Sequence, residues 1–136
     1  IENTMITFGK CCNPIPGDEI VGYITRGRGV TVHRDNCSNI PASSNLDRLL
    51  SVEWNVGKKD AFVVRLKIIG EDRKHFLKDI TESISGLNIN LSSVDIRAKE
   101  GIATGLFLLQ IRDTRQLDRI TNKIKMIKGI IELQRM

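Results

Sequence analysis

Cys11, Cys12, His33 and Cys37 bring three thiols and an imidazole into 27 consecutive positions of a 136-residue chain. They are all of its cysteines and one of its two histidines. Three sulfurs and one ring nitrogen are the donor set of a closed, four-coordinate zinc site. His33 and Cys37 stand four residues apart, so one helical turn would aim both side chains the same way. Between the two pairs runs a glycine-rich, arginine-bearing segment, Tyr23-Ile24-Thr25-Arg26-Gly27-Arg28-Gly29. A small metal-stapled module that displays arginines suggests binding rather than catalysis.

Spacing alone leaves other uses of these side chains open. Paired zinc cysteines are usually separated by two to four residues, and here they touch. Adjacent residues of an extended strand point to opposite faces, so both sulfurs reach one metal only across a turn. Asn13-Pro14 and Pro16-Gly17-Asp18 supply turn chemistry just beyond them. The cysteines could equally be small buried apolar residues with His33 an ordinary surface side chain. A catalytic thiol lacks a sequence-adjacent activating partner. Three cysteines cannot pair off evenly, and no secretory signal heads the chain, so a reducing, cytoplasmic compartment is expected.

The elements that must position these groups divide near Gly57-Lys58-Lys59-Asp60, read as a short linker between residues 1–57 and 58–136. All three prolines, all three cysteines and the only tryptophan, Trp54, precede it. Residues 1–57 hold 5 basic and 6 acidic side chains, against 16 and 10 in 58–136, so the net charge of +5 belongs to the second half. A unit below ~60 residues buries a modest fraction of its surface and often needs a staple. Strands are expected over Glu19–Thr25 and Gly29–His33, joined across Arg26-Gly27-Arg28. A short helical turn is expected to carry His33 or Asp35 through Cys37, with a short element over Leu46–Leu50 and an extended strand over Ser51–Asn55.

The second half has the clearer periodicity. Phe62, Val64, Leu66 and Ile68 alternate along one face of a strand. Gly70-Glu71-Asp72 then turns into a helix over 73–85, with Leu77, Ile80, Ile84 and Leu87 as its buried stripe and Gly86 as its stop. The next strand, from Ile89, changes phase between Leu91 and Val94, which predicts a β-bulge at Ser92-Ser93. Lys99-Glu100-Gly101 forms a hairpin turn into a central strand over 103–111, apolar on both phases. Asp113 or Thr114 caps a second helix with the stripe Leu117, Ile120, Ile124 and Ile127, and Ile130–Arg135 closes the sheet. The expected fold class is α+β: a small zinc-finger-like α+β unit, then a ferredoxin-like βαββαβ unit with both helices on one face. No apolar run approaches the ~18 residues of a membrane span.

The run from Cys11 to Val30, closed by Val32-His33-Arg34-Asp35 and Cys37, closely resembles a signature of long RelA/SpoT-type alarmone enzymes, which make or hydrolyse (p)ppGpp in the bacterial stringent response. In that family the segment is a small zinc-finger, or conserved-cysteine, domain followed by a βαββαβ ACT domain. The resemblance implies a C-terminal regulatory fragment, beginning at Ile1 rather than Met, of a GTP pyrophosphokinase, a (p)ppGpp hydrolase or an enzyme that is both. It implies zinc on Cys11, Cys12, His33 and Cys37, contact with ribosomal RNA and tRNA, and restraint of N-terminal catalytic domains. No P-loop, hydrolase-type His/Asp metal cluster or nucleophile elbow occurs in this chain, so no catalytic residues are assigned to it.

Lys10, Arg26, Arg28 and Arg34, with His33, are the residues expected to meet RNA, since arginines contact phosphates and glycines let the backbone approach. A solvated loop is the bland alternative. ACT domains often bind amino acids near the turn after the first strand, here Asp72-Arg73-Lys74-His75; His75 stands where the family usually has glycine, which weighs against an amino-acid ligand. Arg115, Arg119 and Lys123 recur on the polar face of the second helix, available to RNA or to an acidic partner domain. The uncovered sheet face, expected to carry Val63, Ile69 and Phe107 or Leu108, suggests a homodimer through the ACT unit.

Overall fold

The computed structural model of the chain describes residues 6–25, 29–38, 48–55 and 60–136. In the first half, β1 (Ile6–Phe8), β2 (Ile20–Thr25), β3 (Gly29–Arg34) and β4 (Leu49–Leu50) form one sheet in the order β1-β3-β2-β4. β2 and β3 are the expected antiparallel pair, with Thr25 opposite Gly29. Val30 and Val32 alternate inward from β3. β1 runs parallel to β3, an unexpected pairing of three residues.

Two expectations for this half need correction. No helical turn leads from His33 or Asp35 to Cys37: His33 lies in β3, as the strand reading has it. Arg34 to Cys37 is a reverse turn in which the Cys37 amide donates to the Arg34 carbonyl at 2.9 Å. Of the short element expected over Leu46–Leu50, Leu49 and Leu50 form β4 against β2, and residues 46 and 47 lie outside the described residues. Ser51–Asn55 pairs with no strand among the described residues.

The second half comprises β5 (Phe62–Glu71), α1 (Phe76–Gly86), β6 (Asn90–Lys99), β7 (Ile102–Ile111), α2 (Thr114–Lys125) and β8 (Ile130–Arg135). Its sheet order is β6-β7-β5-β8, all neighbours antiparallel, so β7 is central as expected. The predicted bulge is present: register shifts between Leu91 and Ser93. Glu100 and Gly101, both at positive φ (53° and 80°), make the two-residue turn between β6 and β7. That left-handed pair matches the twist of the strands it joins. Asp113 caps α2 by accepting the Gln116 amide at 2.9 Å.

β5 runs on through Gly70 and Glu71, so the chain turns later and α1 starts at Phe76 rather than Arg73. The buried stripe of α1 is Phe76, Ile80 and Ile84, with Leu77 44% exposed. The i, i+4, i+8 spacing from Phe76 holds a single face, and Leu77 is rotated off it. Asn88 at φ 56°, not Gly86, carries the chain out of the helix. Phe107 points to the helices and is fully buried, so the open sheet face carries Leu108 together with Leu106 and Val63.

The halves meet along a seam with apolar and polar parts. Ile15 is fully buried in the same cluster as Val64, Leu66, Ile80, Phe107 and Ile120. Trp54 stacks on Phe8 at 5.7 Å, and both rings meet Phe62 edge-on. The Arg135 guanidinium donates to both Asp18 carboxylate oxygens, at 2.9 and 2.7 Å, and to the Asn13 carbonyl at 3.0 Å. The Thr114 amide donates to the Pro16 carbonyl at 2.9 Å.

Candidate metal centre

The vicinal cysteines reach one point because the chain reverses across them. The Gly9 amide donates to the Val32 carbonyl at 2.8 Å, fastening the chain to β3. The Asn13 amide then donates back to the Gly9 carbonyl at 2.9 Å, closing a five-residue turn around Lys10, Cys11 and Cys12. Asn13 leaves the turn at φ 45°, a left-handed conformation that asparagine tolerates. Gly9 is required for a steric reason: a Cβ there would stand 2.7 Å from His33 Nδ1 and 3.4 Å from Cys11 Sγ. β3 then carries His33 across from this knuckle, and the Arg34–Cys37 turn returns the third sulfur.

The four ligand atoms lie within 4.8 Å of one another. Cys11 Sγ is 3.9 Å from Cys12 Sγ, 3.4 Å from Cys37 Sγ and 3.3 Å from His33 Nδ1, and Cys12 Sγ is 3.7 Å from that nitrogen. A tetrahedron with Zn–S bonds of about 2.3 Å and a Zn–N bond of about 2.0–2.1 Å has S···S edges of about 3.8 Å and S···N edges of about 3.6 Å. These four edges depart from the ideal values by a few tenths of an ångström. None of the three cysteines is in a disulfide. The cluster can therefore hold a metal ion with no further ligand.

Electrostatics point the same way. Burial pushes the Cys12 thiol up to about 12, against the opposing pull of the Arg34 amide, whose N–H donates to Cys12 Sγ at 3.4 Å; Cys11 and Cys37 add to the rise. A lone thiolate is disfavoured there, so ionisation calls for a cation among the sulfurs. Burial lowers the His33 pKa, which keeps the ring in its neutral, ligating form. The Arg34 amide supplies a hydrogen bond from outside the donor set, of the kind that orients and tunes a ligating sulfur.

The residues expected to meet RNA are distributed unevenly around this centre. Lys10 is exposed within the knuckle, and its carbonyl accepts from Arg65 at 3.4 Å. Arg34 is half-buried at the end of β3. Arg26 and Arg28 lie outside the described residues, although the strand ends that flank them, Thr25 and Gly29, are paired.

The turn after β5 is arranged for structure. Arg73 donates to the Lys128 and Lys74 carbonyls at 2.9 Å each, and its ion pair with Asp79 spans 2.8 Å. His75 takes the glycine-like position at φ 69° and caps α1 without a side-chain hydrogen bond. Asp72 is exposed, and its amide donates to the Gly101 carbonyl at 2.9 Å. Asn13 was legible as a turn residue, whereas Gly9 was not, although a glycine two residues before a cysteine pair was the available signal.

The second half matches the ACT domain family model over residues 58–135, and residues 1–55 match that of the RelA/SpoT RIS domain. The pair defines a tandem in which a cysteine-bearing module precedes an ACT domain. Over 137 residues the chain is 31% identical to a GTP pyrophosphokinase of Streptomyces coelicolor, covering 99% of this chain and 16% of that protein. It is 36% identical over 136 residues to a GTP pyrophosphokinase of Myxococcus xanthus, with 99% and 18% covered. A bifunctional (p)ppGpp synthase/hydrolase RelA of Mycobacterium tuberculosis is 30% identical over 130 residues, with 94% and 18% covered. The ACT domain of a GTP pyrophosphokinase from Chlorobium tepidum superposes with a TM-score of 0.52 at 26% identity, over 56% of this chain and 99% of that one. The chain belongs to the RelA/SpoT family and corresponds to its C-terminal regulatory region. It spans less than a fifth of the length of these relatives.

Proposed function

We propose that this chain is the regulatory end of a stringent-response enzyme that makes or hydrolyses (p)ppGpp in the cytoplasm, and that its first half grips ribosomal RNA and tRNA. The observation that carries the reading is the S3N cluster of Cys11, Cys12, His33 and Cys37, in a chain of this family whose sequence joins β2 to β3 through Arg26 and Arg28. Zinc is the ion that suits three thiolates and an imidazole in a closed tetrahedral site. It fixes the base from which Lys10, Arg26, Arg28 and Arg34 present charge to phosphates. The ACT unit, joined through Asp18–Arg135 and Ile15, couples that contact to the N-terminal catalytic domains.

The division at residues 57 and 58 stays part of this proposal, as do the roles of the four basic residues. Arg26→Ala with Arg28→Ala is expected to weaken ribosome binding by at least tenfold and to flatten its salt dependence by about two counterions. Unchanged affinity in a ribosome pelleting assay would move the contact elsewhere. An amino-acid sensing role draws no support from the turn, where His75 replaces glycine and Arg73 is committed to Asp79 and two carbonyls. The open face of Val63, Leu106 and Leu108 suits a homodimer. Only monomer mass by light scattering across a dilution series would refute that.

A further inference from the structure

We propose that the cleft at the α2 end of the second sheet binds a soluble, multiply charged anion of mononucleotide size that carries phosphate groups. The cleft encloses about 630 Å³ and is lined by Asn88, Asn90, Gln110, Arg112, Arg115 and Arg119 among others. A volume of ~300–1,000 Å³ is the range of small-ligand sites. Its walls come from three separate segments: the α1–β6 connection, the end of β7 and the first turns of α2.

The charge pattern is selective. Residues 60–136 contain seven arginines. Arg73, Arg97 and Arg135 each pair with a carboxylate, and Arg65 donates to the Lys10 carbonyl. Among the described residues the remaining three guanidiniums, on Arg112, Arg115 and Arg119, have neither an ion pair nor a hydrogen bond, and all three line this one cleft. The only carboxylate in the lining is Asp113, whose Oδ1 accepts the Gln116 amide. These three exposed guanidiniums without a carboxylate partner line one concavity, and an anion there would relieve their solvent-screened repulsion. Their planar forks match phosphate oxygens two at a time, while the amides of Asn88, Asn90 and Gln110 offer donors and acceptors to a neutral part of the ligand.

A concave site favours a compact anion over a nucleic-acid backbone, which meets convex or grooved basic surfaces. Lys123, the third basic residue of the helical series, lies outside this cleft, bordering another with Arg73 and Lys128. The cleft opens at the end of the sheet opposite the Asp72–His75 turn. Two of its lining residues, Asp113 and Arg115, flank Thr114, whose amide donates to the Pro16 carbonyl.

Isothermal titration calorimetry of the 136-residue chain with GTP and, separately, with tripolyphosphate tests the site. Saturable one-to-one binding is expected, weakened at least tenfold in R115A/R119A and by less than twofold in K125A/K128A, which removes the same charge from exposed positions outside the cleft. Tighter binding of GTP than of tripolyphosphate would show the amides reading the nucleoside; equal binding would show that the phosphate chain suffices. Circular dichroism checks that both variants fold, and chemical-shift changes of Asn88 and Gln110 in the parent chain locate the ligand without any substitution. No heat or shift change at millimolar ligand, equal weakening in the two variants, or binding of RNA oligonucleotides alone would each overturn the proposal.

Discussion

The two halves of this chain are stabilised by different means, and the contrast explains where the metal centre sits. In the second half, two helices cover one face of a four-stranded sheet, and residues such as Val64, Leu66, Ile80, Phe107 and Ile120 are wholly buried. In the described part of the first half, the buried apolar side chains besides Pro14 are Cys12, Ile15, Val30, Val32 and Cys37. Ile15 belongs to the core of the other half, and two of the rest are members of the metal cluster. Val30 and Val32 alone would bury too little area to offset the ordering entropy of their own sheet. A cation cross-linking the residue 9–13 knuckle to β3 and the turn after it would supply the missing cohesion. One half is held by periodic apolar burial, whereas the other brings four donor atoms to one point.

Metal removal should separate them most widely. Chelation is expected to withdraw on the order of 10 kcal/mol of binding free energy from the first half. Amide hydrogen exchange should then rise across β2 and β3 while β5 and β7 stay protected. Uniform loss of protection in both halves, or none in either, would break the comparison.

A smaller effect tests the second half on its own terms. Phe76→Ala should cost about 3–5 kcal/mol in denaturant unfolding, as truncation of a buried aromatic does. Leu77→Ala should cost under about 1 kcal/mol, because that side chain is largely exposed. Reversed magnitudes would place the wrong face of α1 against the sheet.

The seam gives the third test. Asp18 and Arg135 are 11% and 16% exposed, so Asp18→Ala leaves a mostly buried guanidinium without its carboxylate. A loss of about 3 kcal/mol is expected, toward the low end for a broken buried pair because some solvent reaches it. The change should also loosen the knuckle, since Arg135 holds the Asn13 carbonyl next to Cys12. Undiminished stability with an unchanged metal affinity would show that the halves are independent.

The same contrast governs what could be read before any coordinates. Apolar periods of two and near four spell out β5 and α2, a run apolar on both phases marks β7, and the phase slip between Leu91 and Val94 located a real bulge. Those signals are local. The start of α1 was not legible, because Phe76 and Leu77 are adjacent and equally apolar. What separates them is the left-handed turn at His75, which no composition encodes. In the first half the donor set was visible but its geometry was not. The i, i+4 spacing of His33 and Cys37 suggested a helix, whereas a strand and a reverse turn converge on the same point. β1 has three residues and pairs in parallel with a strand more than twenty positions away, too short a pattern to stand out. Asp18 and Arg135 are 117 residues apart, a pairing that only tertiary packing specifies.

X-ray absorption at the zinc edge of the purified chain bears most directly on the metal centre. Three sulfurs at about 2.3 Å and one nitrogen at about 2.0–2.1 Å, at one metal per chain, are the predicted shell. An oxygen-rich shell, fewer than three sulfurs, or a well-ordered first half containing no metal would contradict it.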